Sequence, residues 1–135
     1  MHMAETADMS SEATRVRSIG YRTGWWILVV ITAGSILNHL LGPLTGFAEG
    51  DAEVFVFFSL AALNIVTLVV LLTGYRRGER WGWWVTWPMI VIYALTTLYA
   101  PEAGGYYQGA AVVMALAQLL TWSGFRQQDR TGHRS

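Results

Sequence analysis

The sequence predicts an all-α integral membrane protein: a four-helix bundle made of two repeated helical hairpins, with N-terminus and C-terminus both cytoplasmic. Three observations carry this expectation. Four apolar stretches, about residues 23–41, 54–73, 82–100 and 106–123, are each long enough, at ~1.5 Å per residue, to cross a ~30 Å hydrocarbon core. All 9 basic residues are arginines, confined to the N-terminal tail, the loop between the second and third stretches, and the C-terminal tail. The two remaining loops hold no basic residue and carry Glu49, Asp51, Glu53 and Glu102 instead, so the positive-inside rule assigns all the arginines to one face. Composition agrees, with 53% hydrophobic and only 13% charged residues, about half the charged share of a soluble domain.

Along the chain, residues 1–14 are polar and aperiodic and are expected to be disordered. The first span is expected to be a retained helix rather than a signal peptide, because it starts after about 22 residues and meets Gly42-Pro43 without a small-residue cleavage site. Pro88, inside the third span, removes the hydrogen bond to the Trp84 carbonyl and predicts a kink. Residues 15–126 form the membrane domain, and Gln127 to Ser135 has no apolar period to anchor it and is expected to be flexible. The formal net charge of zero divides by face: nine arginines against Glu5, Asp8, Glu12, Glu79 and Asp129 on the inner side, and the four other acids outside. Such a dipole suits a multi-pass protein beside anionic lipid, and arginine without lysine fits a GC-rich bacterial genome, hence the inner (plasma) membrane.

The hairpins look duplicated. Arg22-Thr23-Gly24-Trp25-Trp26-Ile27 at the start of the first span recurs as Arg80-Trp81-Gly82-Trp83-Trp84-Val85 at the start of the third, and at the same offset Pro43 falls on Pro101 and Gly46 on Gly104. The second and fourth spans end alike, in Thr73-Gly74-Tyr75-Arg76 and Ser123-Gly124-Phe125-Arg126. Both copies enter from the same face, so the repeat is parallel and its axis is expected along the membrane normal. The tryptophans cluster at the arginine-bearing helix ends; Trp25, Trp26, Trp83, Trp84, Trp87 and Trp122 read as interfacial anchors, with Tyr99, Tyr106 and Tyr107 as the opposite belt. Trp83 and Trp87, one turn apart, also have the spacing of a stacking site.

Polar side chains inside apolar spans are the candidate functional residues, because hydrocarbon offers them no partner. These are Asn38 and His39 on the first span, Asn64 on the second, Tyr93 on the third and Gln118 on the fourth, with Glu53 at the mouth of the second. Glu53, Phe57, Leu60, Asn64 and Thr67 follow helical spacing along one stripe, and Thr32, Ser35 and the Asn38-His39 pair make another. Interhelical hydrogen bonding accounts for such groups as well as ligand binding does. His39 near Glu49, Asp51 and Glu53 has the chemistry of a proton relay or a cation site, yet no paired-ligand spacing accompanies it, and no metal site is assigned. Absent cysteine removes disulfide and thiolate chemistry. No nucleophile elbow, phosphate loop or metalloprotease helix is found, and no catalytic residue or cofactor is identified. Gly20 and Gly24 have dimer-motif spacing at the edge of the first span, and Ala111 with Ala115 offers a small-residue face that suits a homodimer or packing within the chain.

The loop Tyr75-Arg76-Arg77-Gly78-Glu79-Arg80-Trp81-Gly82-Trp83-Trp84, joining two spans of a short four-span chain, resembles that of small bacterial membrane proteins of the broad DoxX-like group. That resemblance implies a four-span helical fold and, because some members are linked to quinone-associated or redox membrane complexes, a lipid or quinone ligand; it carries over no site residue. Small multidrug exporters share the length and span count, but this first span lacks the acidic residue their proton coupling requires. The expected role is a non-enzymatic accessory or binding subunit that accommodates a lipid, quinone or similar apolar ligand, or packs on a larger membrane complex, with no nucleic-acid partner. The alternative is a small transporter with a polar path through the bundle.

Overall fold

The structure, a computed structural model, describes the backbone of residues 2–46, 50–99, 101 and 104–132, and side chains at 19–46, 50–96, 98, 101, 104–122, 124 and 125. It is all-helical, with no strand among the described residues. Helix α1 runs His2–Leu41, α2 Asp51–Val70, α3 Arg80–Val85, α4 Trp87–Tyr99 and α5 Gly104–Gly132. The helical backbone reaches back to His2 and on to Gly132. Residues 2–19 contain neither glycine nor proline, and their alanines, glutamates and methionines are strong helix formers, so nothing local ends the helix that the first span begins.

Each boundary has a local cause. Pro43 cannot donate to Gly42's predecessors and opens a short 3-10 turn, Pro43–Thr45, where α1 stops. Asp51 and Glu53 sit in the first turn of α2, against its positive dipole end. At its other end α2 widens into a π-helical turn, Leu71–Tyr75, and closes in a Schellman motif: Glu79 N–H donates to the Gly74 carbonyl at 3.0 Å and Gly78 N–H to Tyr75 at 2.9 Å. Gly78 takes φ 74° there, a left-handed conformation that favours glycine. The kink expected from Pro88 appears as a full break at Thr86, which divides the third apolar stretch into α3 and α4.

α1 packs along both α2 and α5, and α5 packs along α4, whereas α2 meets α3 and α4 at only a few places. The α1–α5 crossing is tight at Gly24, where an added Cβ would lie 2.6 Å from the Ala117 carbonyl oxygen. Ala117 of α5 meets Gly24 here and is buried; of the expected small-residue face, Ala111 is buried and Ala115 half-buried. Polarity is inverted relative to a water-soluble bundle. Outward positions are apolar, with Val30 63%, Leu98 72% and Leu116 58% exposed, while His39, Asn64 and Gln118 inside are each 0% exposed. Among the described residues two segments, Ile19–Leu41 and Asp51–Tyr75, are long and apolar enough to cross a membrane. The third expected span is interrupted, and Gln108 and Gln118 dilute the apolar character of α5.

Candidate functional site

Two polar clusters lie inside the bundle, one toward the end where α1 stops and α5 begins, the other at the arginine-loop end. The first takes one side chain from each of four helices. Asn64 on α2 donates from Nδ2 to its own helix at the Leu60 carbonyl, 2.8 Å away, which fixes the orientation of the amide. Its Oδ1 then accepts the Tyr93 hydroxyl of α4 at 3.1 Å, and its second amide hydrogen faces His39 Nδ1 at 3.4 Å. His39 Nε2 and the Tyr107 hydroxyl of α5 share a hydrogen bond at 2.8 Å, the imidazole tautomer deciding which of the two donates. The His39 ring stacks on Tyr107 with centroids 5.8 Å apart and meets Phe57 edge-on. The Asn64 amide at the centre of this chain accepts one hydrogen bond and donates others without itself titrating.

The second cluster follows from the break at Thr86. Ending α3 early leaves carbonyls without intrahelical partners. The Trp83 carbonyl takes Gln118 Nε2 at 2.5 Å and the Thr86 hydroxyl at 2.8 Å, and Gln118 Nε2 also reaches Thr86 Oγ1 at 2.5 Å. Tyr75 donates to Gln118 Oε1 at 3.1 Å and also meets Thr121 Oγ1, whose own proton goes to the Gln118 carbonyl at 2.7 Å. The π-helical turn is clamped from α1: Trp25 Nε1 donates to the Leu71 carbonyl at 2.8 Å and the Tyr21 hydroxyl to the Tyr75 carbonyl at 2.5 Å. Trp83 Nε1 makes a matching bond to the Gln118 carbonyl at 3.1 Å. Between the clusters, Met89 one turn beyond Thr86, Met114 one turn before Gln118, and Leu28 are all buried and apolar.

Of the candidate residues, the structure brings together His39, Asn64 and Tyr93. Gln118 is buried in the other cluster, while Asn38 and Glu53 are exposed and stand outside both. Asn38 precedes His39 by one residue, and the ~100° of that helical step turns it off the buried stripe. Glu49 and Glu102, and the side chain of Tyr99, lie outside the described residues. Among the described residues no group of three or more histidines and carboxylates is placed to hold a metal ion. Trp26 and Trp84 are exposed as anchors would be, but Trp25 and Trp83 turn their indole N–H groups inward to carbonyls. Trp83 and Trp87 pack edge-to-face against each other at 5.4 Å, and Arg80 lies over the Trp122 ring at 5.9 Å. Sequence reasoning missed Tyr75, Thr86 and Thr121 as partners; the i, i+3 spacing of Trp83 with Thr86 and of Gln118 with Thr121 was the available signal. No family model, curated protein or solved structure matches this chain.

Proposed function

We propose that the chain is a four-span integral protein of the bacterial inner membrane, with both termini and the Arg76–Arg80 loop in the cytoplasm, acting as a non-enzymatic accessory or binding subunit for an apolar molecule or a larger membrane complex. The observation that carries this is the inverted polarity. In water, a bundle that exposes Val30, Val66, Leu95 and Leu116 while enclosing histidine, asparagine and glutamine would present a large apolar surface at great cost. In hydrocarbon the same arrangement is the favourable one, because lipid meets apolar side chains and the enclosed His39, Asn64 and Gln118 find their partners in the protein. The outward faces of α4 and α5, with Leu95, Leu98, Val112 and Leu116, are as apolar as those of α1 and α2, which supports four spans rather than two.

A binding or accessory role is favoured over transport because the central side chains of both clusters are hydrogen-bonded within the protein. The paired indole bonds of Trp25 and Trp83, each to a carbonyl near the arginine-loop end of a neighbouring helix, support the duplicated-hairpin reading. The DoxX-like resemblance of the arginine loop supports a lipid or quinone as the apolar molecule.

Topology is directly testable, since the chain has no cysteine of its own. Cysteines introduced at Ser10 and Arg130 are expected to resist an impermeant thiol reagent in intact cells, and one at Ala48 to react. Labelling at either terminus refutes the orientation; equal labelling of all three sites in a soluble fraction refutes membrane insertion. Native mass spectrometry of protein extracted with its own lipids then reads bound small molecules and subunit number together, and a bare monomer there removes the binding role.

A further inference from the structure

The segments Arg22-Thr23-Gly24-Trp25-Trp26 and Arg80-Trp81-Gly82-Trp83-Trp84 put matching side chains in matching surroundings. On α1, Trp25 turns its indole N–H to the Leu71 carbonyl at 2.8 Å, and Trp26 packs edge-on against the Trp25 ring with centroids 4.8 Å apart. On α3, Trp83 donates to the Gln118 carbonyl at 3.1 Å, and Trp84 packs edge-on against Trp83, also at 4.8 Å. In each pair a hydrogen bond to a neighbouring helix fixes the inner indole, and the inner indole holds the outer one in place. The outer rings nevertheless stay open, Trp26 being 54% and Trp84 60% exposed. Arg22 and Arg80, also exposed, precede them by four residues, which sets each arginine and its ring on one helix face, ~5–6 Å apart at Cβ.

We propose that Arg22 with Trp26, and Arg80 with Trp84, form two equivalent binding sites for anionic phospholipid headgroups on the surface of the bundle. These sites presuppose the membrane insertion proposed above, and they are distinct from an apolar molecule held between helices. The side chains follow one another in the order of a phospholipid's own chemistry: arginine nearest the loop end, the exposed indole one turn deeper, then aliphatic groups, with Val30 one turn further along α1 and Val85 beside Trp84. A guanidinium meets a phosphate through paired charge-assisted bonds, and an indole packs against the glycerol ester and first methylenes. Arg80 lies over the Trp122 ring at 5.9 Å, and a guanidinium stacked on a ring still donates through its edge. Charge selects the headgroup. Among the described side chains at this end, Arg22, Arg76, Arg77 and Arg80 stand against Glu79 alone, four positive charges against one negative, which favours an anionic lipid over a zwitterionic one.

The test titrates full-length protein, stripped of lipid in detergent, with phosphatidylglycerol and separately with phosphatidylcholine, and counts retained lipids by native mass spectrometry. Two phosphatidylglycerols are expected to bind ahead of further adducts, and phosphatidylcholine to bind more weakly. Arg22→Gln and Arg80→Gln each weaken one of the two by roughly tenfold, and the double variant brings phosphatidylglycerol down to the phosphatidylcholine level. Trp26→Leu and Trp84→Leu weaken the same two sites with every charge in place, which general attraction to a basic surface does not produce. Circular dichroism checks that each variant is folded, as substitution of exposed side chains allows. Equal retention of the two lipids by the natural protein, an undiminished preference in the double arginine variant, loss of both lipids from a single arginine variant, or tryptophan variants without effect overturns the two sites. Thiol labelling at Ser10, Ala48 and Arg130 judges insertion separately, so an inserted protein without lipid preference refutes these sites alone, and a protein that is not inserted refutes both.

Discussion

A single methyl group added at Gly24 probes the close crossing of α1 and α5. In Gly24→Ala the new Cβ would stand 2.6 Å from the Ala117 carbonyl oxygen and 2.8 Å from Thr121 Cγ2. The first obstacle is backbone, so no rotamer change relieves it; α1 must back away from α5 by most of an ångström to restore ordinary contact. Overpacking of this kind costs about 1–3 kcal/mol. Helix propensity pulls the other way, since alanine is better than glycine in a helix interior by about 1 kcal/mol. The two effects are separable because α1 carries an internal control. At Gly34, exposed on the same helix, an added Cβ meets nothing within 4 Å. Gly34→Ala is therefore expected to gain about 0.5–1 kcal/mol from propensity alone. The difference between the variants cancels propensity and leaves the packing cost, an expected gap of about 1–3 kcal/mol with Gly24→Ala the less stable. Reversible unfolding in detergent, followed by tryptophan fluorescence or circular dichroism, measures that gap. Equal shifts in the two variants would refute the close α1–α5 crossing.

Asn64→Leu removes the hub of the first cluster and strands both the Tyr93 hydroxyl and His39 Nδ1, so it is expected to cost about 1–3 kcal/mol in thermal melts; if Asn64 served a ligand instead, ligand retention would fall while stability held. Gln118→Leu is expected to cost less, about 1 kcal/mol, because the Trp83 carbonyl keeps the Thr86 hydroxyl and Tyr75 keeps Thr121; a larger loss than Asn64→Leu would contradict this ordering. Tyr107→Phe takes the partner from His39 Nε2 and should lower stability by about 1 kcal/mol, with the imidazole nitrogen shifts in NMR reporting the lost bond. Trp25→Phe frees one bond to the Leu71 carbonyl, which keeps the Arg76 N–H, so the expected loss is about 0.5–1.5 kcal/mol, and an unchanged melt would show that the clamp on the π-helical turn is not stabilising.

Much of the fold was legible because helical periodicity survives in a bundle with one polar interior. The stripe Thr32, Ser35, His39 was readable from spacing alone, and so was the inward direction of Asn64. Glu53 failed as a member of its stripe because it lies in the first turn of α2, where the end of the bundle leaves it exposed. Pro88 announced a distortion, but whether a helix bends or breaks depends on what can take up the freed carbonyls. That answer came from Gln118, 35 residues away from the Trp83 carbonyl it caps. Tyr75 was invisible for the same reason, since it acquires its role through Gln118 and Thr121 on α5, whereas Thr86 and Thr121 announced by spacing only their local bonds to Trp83 and Gln118. The tryptophans misled in part, since an indole at a helix end suits headgroups and interior carbonyls equally well, and Trp25 and Trp83 chose the carbonyls.

The bond between His39 and Tyr107 sets a timetable for synthesis. The partners are 68 residues apart, so at ribosomal rates of about 5–20 residues per second the histidine is complete for about 3–14 s before the tyrosine exists. During that interval the first helix carries a polar ring whose Nε2 partner has not been made. On the proposed membrane insertion, nascent chains arrested just before Tyr107 should leave the first helix extractable or in contact with the insertion machinery, and chains arrested well past it should release the helix into the bilayer; cross-linking at His39 across the two arrest points would measure the handover. Premature truncation near the start of α5 then removes more than a fourth helix, because it leaves the first one without the partner that lets its histidine stay buried.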